Sequence, residues 1–199
     1  MRYLGNTIDI HGGGLENAFP HHESEIAQSE AATGSTFARF WLHNNMVTID
    51  GQKMGKSLGN ARSLKEMFDR CDPMTIRLYI LRSHYRSPLD FSDEGMASAA
   101  SALARIRDLS SRLEPSAGGS DAVDQPPFVQ EALSAFTDRL ADDLDTPGGV
   151  AVLFDYVRKC NQALEAGAEP GARSAMRSGL DMMAQNILGL TMQGTGSGA

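Results

Sequence analysis

Two side chains of types that bind metal ions lie one helical turn apart near the start of the chain. His21 and Glu25 are four positions apart, so a helix places both on one face, within reach of a single metal ion. Two ligands at this spacing make half of a zinc site. The alternative is structural, because His21 and His22 can cap the first helical turn while the neighbouring acidic residues favour its positive end.

A second candidate site is a segment with two lysines between glycines. Lys53 and Lys56 lie between Gly51 and Gly59, and paired ammonium groups on a loop neutralise the charge that builds on a leaving pyrophosphate. The same composition is typical of a solvated loop. The triple glycine at 12–14 also has two interpretations, a tight turn or a backbone that approaches a nucleotide.

Local patterns predict the elements that must position these residues. The first part of the chain is predicted to contain a strand over 7–11 that stops at the three glycines, followed by a helix over 20–33. This helix is predicted to begin at Pro20 and to be capped by Gly34. A strand over 37–43 follows, and then a strand over 46–49 that enters a hairpin turn at Asp50-Gly51. The next part is predicted to contain a capping box of Ser63 and Glu66, a helix from Asp72-Pro73, and a loop over 87–92 with Ser92 as the next N-cap.

After residue 92, apolar residues recur at helical spacing and predict a small helical bundle. The predicted stripes contain Met96, Ala99, Leu103, Ile106 and Leu113, then Leu133, Phe136 and Leu140, then Val150, Leu153, Phe154, Val157 and Leu164, with a fourth helix over 172–188. Residues 116–127 form a polar connector. Cys71 and Cys160 are predicted to be buried helix residues.

Composition excludes several classes of protein. The 199 residues carry 18 Lys and Arg against 25 Asp and Glu, a formal net charge of −7, which argues against non-specific binding of nucleic acid but permits a local basic face. No apolar run approaches the roughly 20 residues of a membrane span, and no secretory leader opens the chain. Two distant cysteines cannot form a disulfide framework. We therefore expect a cytoplasmic protein that does not bind membranes.

Five segments, taken together and in order, resemble the cysteinyl-tRNA synthetases, a family of class I aminoacyl-tRNA synthetases. They are residues 9–14, 19–30, 53–60, 84–92 and 142–147. The resemblance implies ATP-dependent activation of cysteine and its transfer to the cysteine tRNA, with ATP bound together with magnesium.

The resemblance also implies roles for single residues. It implies that His21 and Glu25 bind zinc together with two cysteines, and that the thiolate of the substrate coordinates this zinc. His11 is expected to contact the bound amino acid. Glu16 is expected to face the ribose of ATP, and Gly13 to approach the nucleotide.

The segment Lys53–Ser57 resembles the KMSKS loop of this family. Lys53 and Lys56 are therefore the expected catalytic residues, and Lys56 is expected to contact the triphosphate of ATP in the transition state. Gly55 stands where the family usually has serine. In the helices that follow, candidate contacts to tRNA phosphates are Arg77, Arg82 and Arg86.

The fold implied is the α/β second half of a class I Rossmann-type catalytic domain, followed by an all-α helical bundle, with helix predominating overall. The predicted domains are a catalytic part over 1–62, connecting helices that contact the tRNA stem over 63–92, a DALR-like tRNA-binding bundle over 93–192, and a disordered tail over 193–199.

Two features of the family are absent from the sequence, the HIGH motif and both zinc-binding cysteines. We therefore expect a truncated or split cysteine–tRNA ligase that is inactive alone, binds zinc weakly, and works with a separate N-terminal half. One alternative is a non-catalytic module that binds tRNA or a partner protein. Another is a ligase that joins cysteine to an amino sugar in the synthesis of a thiol cofactor.

Overall fold

A computed structural model describes residues 2–49, 51–54, 63–113 and 125–192 of the chain. The chain divides into two units: unit 1 contains residues 1–60 and 85–91, and unit 2 contains residues 61–84 and 92–199. Unit 1 is a mixed α/β structure and unit 2 is helical, as the sequence predicts. The three-domain division at residues 62 and 92 remains a prediction.

Unit 1 is built around a parallel pair of strands joined by a helix. Strand β1 (Ile8–Gly14) pairs with β2 (Ala38–Asn44), and helix α1 (Glu23–Thr33) lies between them in the chain. Both strands were predicted. The expectation that β1 stops at the triple glycine is wrong, because Gly12, Gly13 and Gly14 pair with the last three residues of β2 and so continue the strand.

The connection from β1 to α1 is longer than the sequence predicts. Two short helical turns cover Leu15–Asn17 and Ala18–His22, and α1 begins at Glu23 rather than at Pro20. Phe19 is extended, with φ −138° and ψ 135°, as the residue before a proline prefers to be. The end of α1 is confirmed, since Gly34 caps it with a left-handed φ of +65°.

A second, three-stranded sheet completes unit 1. Strand β3 (Val47–Ile49) forms a hairpin with β4 (Gln52–Lys53) and pairs in parallel with β5 (Leu89–Phe91). The hairpin at Gly51 is confirmed. The expectation of a loop over 87–92 is wrong for its middle, because β3 offers a free edge with which residues 89–91 form hydrogen bonds.

Unit 2 begins with two short helices whose caps the sequence identifies. Helix α2 (Leu64–Phe68) begins with the predicted capping box of Ser63 and Glu66. Helix α3 (Pro73–Leu81) is capped by Asp72, whose carboxylate accepts a hydrogen bond from the backbone N–H of Met74 at 2.8 Å.

Four longer helices form the predicted bundle. They are α4 (Asp93–Arg112), α5 (Pro127–Ala141), α6 (Thr146–Glu165) and α7 (Pro170–Leu180), followed by a wide helical turn over Asp181–Ile187. Their core contains Leu103, Ile106, Leu109, Phe136, Leu153, Tyr156, Met176 and Leu180, each at most 1% exposed. Among the described residues, no helix has the length and apolar character needed to cross a membrane.

Candidate functional site

Three potential metal ligands come together beside the parallel strands of unit 1. His11 lies on β1, His22 ends the helical turn before α1, and Glu25 lies in the first turn of α1. Their ligand atoms are all within 4.8 Å of one another. We call these three residues the His–Glu cluster. Their meeting is a consequence of the β–α connection, which returns the start of α1 to the carboxyl-terminal half of β1.

The two oxygens of the Glu25 carboxylate face two different histidines. Its Oε2 atom lies 2.8 Å from Nε2 of His11, and its Oε1 atom lies 3.5 Å from Nε2 of His21. Oε2 is buried, and the short approach of His11 does not have the angles of a hydrogen bond, so this oxygen has no hydrogen-bond partner within the described structure. A buried carboxylate oxygen in this situation is suited to a cation.

The ring of His22 is buried and oriented. It is 4% exposed, and its Nδ1 atom lies 2.8 Å from Nε2 of His43, so one ring donates a hydrogen bond to the other. Burial, followed by the positive charges that His11 and His43 carry when protonated, lowers the pKa of His22 below its ordinary value. A neutral imidazole is the form that binds metals.

Aromatic rings from β2 support the cluster. Trp41 meets the ring of His11 edge-on at 4.7 Å and stacks on His43 with an interplanar angle of 13°. Phe37 packs on His11 at 5.4 Å. Since Trp41 pairs with His11 and His43 pairs with Gly13 across the sheet, the strand register itself places these rings on the face of the cluster.

Gly13 has a structural reason to be glycine. A Cβ atom at this position would lie 2.8 Å from Cε1 of His22, so the ring occupies the space of the missing side chain. The exposed Glu16 folds its carboxylate against Gly14. The expected contacts of Gly13 with ATP and of Glu16 with ribose remain predictions.

His21 and Glu25, the pair of metal ligands predicted from the sequence, lie together, although Glu25 lies closer to His11 than to His21. His21 lies next to Glu25 as helical spacing predicts, but its side chain is 65% exposed. Sequence reasoning gave His22 only a capping role and His11 only a contact with the amino acid. The signal that was available is the strand, turn and helix order, which brings the end of a strand next to the start of the following helix.

The lysine site is described only in part. Lys53 ends β4 and pairs with Thr48 of β3. Lys56 and Gly55 lie outside the described residues. The catalytic roles of both lysines therefore remain predictions.

The surroundings of both cysteines disfavour the thiolate form. Cys160 is fully buried in α6, as predicted, and burial raises its pKa to about 12. Cys71 is half-buried in the turn after α2 rather than within a helix, and its Sγ donates to the carbonyl of Met67 at 3.2 Å. Burial raises the pKa of Cys71 as well.

The three arginines predicted to contact tRNA phosphates make different contacts within the chain. Nε of Arg77 donates to the carbonyl of Leu188, and the residue is exposed, so its contact with phosphate remains a prediction. Nη1 of Arg82 donates to Oγ of Ser98 at 3.1 Å. The guanidinium of Arg86 lies over the ring of Tyr85, 5.1 Å from its centre.

Comparison with known families assigns both parts of the chain. The family described as "tRNA synthetases class I (C) catalytic domain" matches residues 1–101. The family described as "DALR domain" matches residues 135–193. The first match contains the whole His–Glu cluster, and the second contains most of the bundle.

Curated relatives are similar over almost the whole chain. The cysteine–tRNA ligase of Chlorobaculum tepidum is 50% identical over 191 residues, which is 96% of this chain and 38% of the relative. That of Chlorobium chlorochromatii is 48% identical, with 96% and 39% covered, and that of Deinococcus radiodurans is 42% identical, with 100% and 40% covered. The chain thus spans about two fifths of the length of the curated relatives it matches.

A solved structure shares the fold. The ternary complex of LeuRS from Agrobacterium radiobacter with tRNA and LeuAMS matches 92% of this chain and 25% of its own chain, with a TM-score of 0.69 and 19% identity. At this identity the likeness concerns the fold alone, and it agrees with an α/β catalytic part followed by helices.

Proposed function

Since the chain belongs to the family of class I tRNA synthetases (C), we propose that it forms part of a cysteine–tRNA ligase. The reaction is the activation of cysteine with magnesium-bound ATP, followed by transfer of the cysteinyl group to the cysteine tRNA. The observation that carries this proposal is the match of the catalytic-domain family to residues 1–101, which include every residue proposed for the chemistry. Relatives 50% identical over 191 residues support it.

In this proposal the amino acid binds beside the His–Glu cluster, where His21 and Glu25 would hold zinc together with the two cysteines that the resemblance implies. A zinc ion there would supply a Lewis acid that favours a cysteine thiolate over a serine hydroxyl, and so would separate two substrates of nearly equal size. The imidazoles and the carboxylate of the cluster fit zinc chemically. His11, with Trp41 and Phe37 around it, excludes water from one side of the amino acid.

The nucleotide site is assigned by resemblance and charge. Lys53 and Lys56 neutralise the charge that develops on the leaving pyrophosphate, and Lys56 contacts the triphosphate. Gly13 lets the backbone approach ATP, and Glu16 faces the ribose. The bundle of unit 2, matched by the DALR family over 135–193, holds the tRNA. With these substrates, we propose a cytoplasmic location for the protein.

The parallel strand pair supports a covering partner. Ile10 and Phe40 are paired across the sheet and share its other face, where they are 63% and 65% exposed. Parallel sheets are normally covered on both faces. We therefore propose that a separate N-terminal half, corresponding to part of the relatives' length that this chain does not match, covers this face.

The test is cysteine-dependent exchange of pyrophosphate into ATP. The chain is assayed alone and mixed with a separately expressed N-terminal part of a cysteine–tRNA ligase that carries the HIGH motif and two zinc-binding cysteines. We expect exchange only in the mixture. Lys56→Ala should lower the exchange rate far more than the affinity for cysteine. No exchange in the mixture would overturn the proposal, and equal loss of rate and affinity would overturn the role of Lys56.

The two alternatives gain no support. No relative described above is a ligase of amino sugars, and the match to the catalytic family does not favour a module that only binds tRNA.

A further inference from the structure

We propose that Asp90 is a positioning residue for the segment with two lysines, because its carboxylate holds the hairpin of β3 and β4 at whose end Lys53 lies. The inference rests on the proposed function, in which Lys53 and Lys56 act on ATP, and adds a residue to it. The roles implied by resemblance do not include Asp90, which lies on a different strand, β5.

One oxygen of the Asp90 carboxylate accepts two hydrogen bonds from the hairpin. The hydroxyl of Thr48 donates to Oδ1 of Asp90 at 2.6 Å, and the backbone N–H of Gly51 donates to the same oxygen at 2.8 Å. These bonds, first the one from Thr48, lower the pKa of Asp90 below its ordinary value, so the carboxylate is ionised at neutral pH. Hydrogen bonds to an ionised acceptor are stronger than those between neutral groups.

The strand register explains why these groups meet. Thr48 of β3 pairs with Asp90 of β5 on one side and with Lys53 of β4 on the other. Paired residues of neighbouring strands direct their side chains to the same face of the sheet, so the Thr48 hydroxyl lies beside the Asp90 carboxylate. Gly51 lies in the turn between β3 and β4, with φ +75°. Asp90 therefore holds both a strand and the turn of the hairpin.

The hairpin is short, so a contact from outside it matters. Strands β3 and β4 share two residue pairs, and an isolated hairpin of two strands is marginally stable in water. Lys56 follows Lys53 by three positions, so the end of β4 sets the point from which the chain leads to both lysines. A shift of about 1 Å in a catalytic group can lower a rate about 100-fold. Loss of the Asp90 contact is therefore expected to lower the rate of the reaction with ATP and to leave cysteine binding unchanged.

Two substitutions separate the hydrogen bonds of Asp90 from its charge. Asp90→Asn keeps an oxygen that accepts hydrogen bonds and removes the charge, whereas Asp90→Ala removes the acceptor. If the charge of Asp90 acted by itself, for instance on magnesium-bound ATP, both substitutions would be equally harmful. The matched control is Asp69→Ala, since Asp69 is also exposed but lies at the end of α2 in unit 2.

The first measurement is hydrogen exchange of the Gly51 amide in the full chain, followed by NMR. We expect exchange about tenfold faster or more in Asp90→Ala, and a rate within about threefold of the unchanged chain in Asp90→Asn and Asp69→Ala. The amides of β1 should keep their exchange rates in all three variants, which shows that unit 1 remains folded.

The second measurement is cysteine-dependent exchange of pyrophosphate into ATP by each variant mixed with the separate N-terminal half. We expect Asp90→Ala to lower kcat about 10–100-fold, with a KM for cysteine within about twofold of the unchanged value. Asp90→Asn and Asp69→Ala should keep at least about half of the unchanged kcat.

The results that would overturn the proposal are distinct from those that would overturn the proposed function. An unchanged kcat or an unchanged exchange of the Gly51 amide in Asp90→Ala would contradict the role of Asp90. So would equal losses of kcat in Asp90→Asn and Asp90→Ala, or an effect on the KM for cysteine as large as that on kcat. Inactivity of the unchanged chain in the mixture would overturn the proposed function instead, and hydrogen exchange of Gly51 would then decide whether Asp90 holds the hairpin.

Discussion

At the scale of single residues, the two cysteines of unit 2 differ in their exposure. Cys160 is fully buried beside Tyr156 in α6, and desolvation raises its pKa to about 12, opposed by a hydrogen bond with the Tyr156 side chain. Cys71 is half-buried at the surface. Because the thiolate is the reactive form, burial and pKa act in the same direction at Cys160 and make it inert.

This difference predicts the reactivity of the native chain. A rise of the Cys160 pKa from 9.0 to about 12 lowers the fraction of thiolate about 1,000-fold. We expect one thiol per native chain to react with Ellman's reagent at pH 8, and two in denaturant. Cys71→Ser should abolish the native reaction. Two fast thiols in the native chain would show that α6 opens readily.

At the scale of elements, a capping box fixes the start of α2. The backbone N–H of Ser63 donates to Oε2 of Glu66 at 2.9 Å, and the backbone N–H of Glu66 donates to Oγ of Ser63 at 3.2 Å. Hydrogen bonds to the ionised carboxylate, first from the backbone of Ser63, lower the pKa of Glu66. Ionised Glu66 therefore stabilises the folded chain above the pKa of the unfolded state, and this contribution is lost as pH falls through the folded pKa.

An NMR titration of the Glu66 side chain tests this cap. We expect its midpoint below 4.5, the value for a free glutamate. Ser63→Ala removes the hydroxyl but keeps the backbone donor, so it should raise the midpoint only part of the way. A midpoint unaffected by Ser63→Ala, or one at the free value in the parent chain, would contradict the capping box.

Elements that depend on local signals are predicted from the sequence, whereas strands that depend on distant partners are not. Gly34, the hairpin at Gly51 and the cap of α2 are specified by neighbours within a few residues, and all three are confirmed. Residues 12–14 and 89–91 were predicted as loops and form strands. Their hydrogen bonds come from β2 and β3, about 30 and 40 positions away, which no local pattern reports.

The candidate site follows the same rule. Helical spacing identifies Glu25 and its neighbour His21, because both lie in one segment. It does not find His11, 14 positions before Glu25, since the two meet only when β1 and α1 pack together. His22 is selected by burial and by His43 of β2, which are both properties of the folded chain.

Gly189, after the last helical turn of unit 2, lies against the Arg77 side chain that binds the carbonyl of Leu188. Gly189 has φ +66°, and a Cβ atom there would lie 2.7 Å from the guanidinium of Arg77, which is held by the carbonyl of Leu188. Gly167 has φ +82° and open space around it. Both glycines adopt a left-handed conformation, but only Gly189 also has a close neighbour.

Replacing each glycine with alanine separates these two effects. Gly167→Ala should cost about 1–2 kcal/mol for the left-handed conformation alone. Gly189→Ala should cost more, because Arg77 must move and lose its bond to Leu188. Urea denaturation followed by helical circular dichroism measures both. Equal losses would mean that Arg77 relaxes freely and does not hold the terminal segment.

At the scale of the whole molecule, the exposed face of the parallel sheet is a candidate surface for a partner. Ile10 and Phe40 form a pair of large apolar side chains, each more than half exposed, on a sheet that has two strands among the described residues. Burying one such side chain contributes about 1.5–3 kcal/mol. A partner that covers this face therefore has a strong driving force, and a charge placed there should prevent its binding.

Phe40→Asp tests this surface directly. The variant should keep its circular dichroism and its zinc affinity, because Phe40 points away from the face that carries Trp41 and the His–Glu cluster. It should lower at least tenfold the cysteine-dependent exchange that we propose for the mixture with a separate N-terminal half. Ile80→Asp, at a residue of α3 that is 41% exposed, is the matched control and should keep that exchange. Full activity of Phe40→Asp in the mixture would mean that the N-terminal half binds elsewhere on the chain.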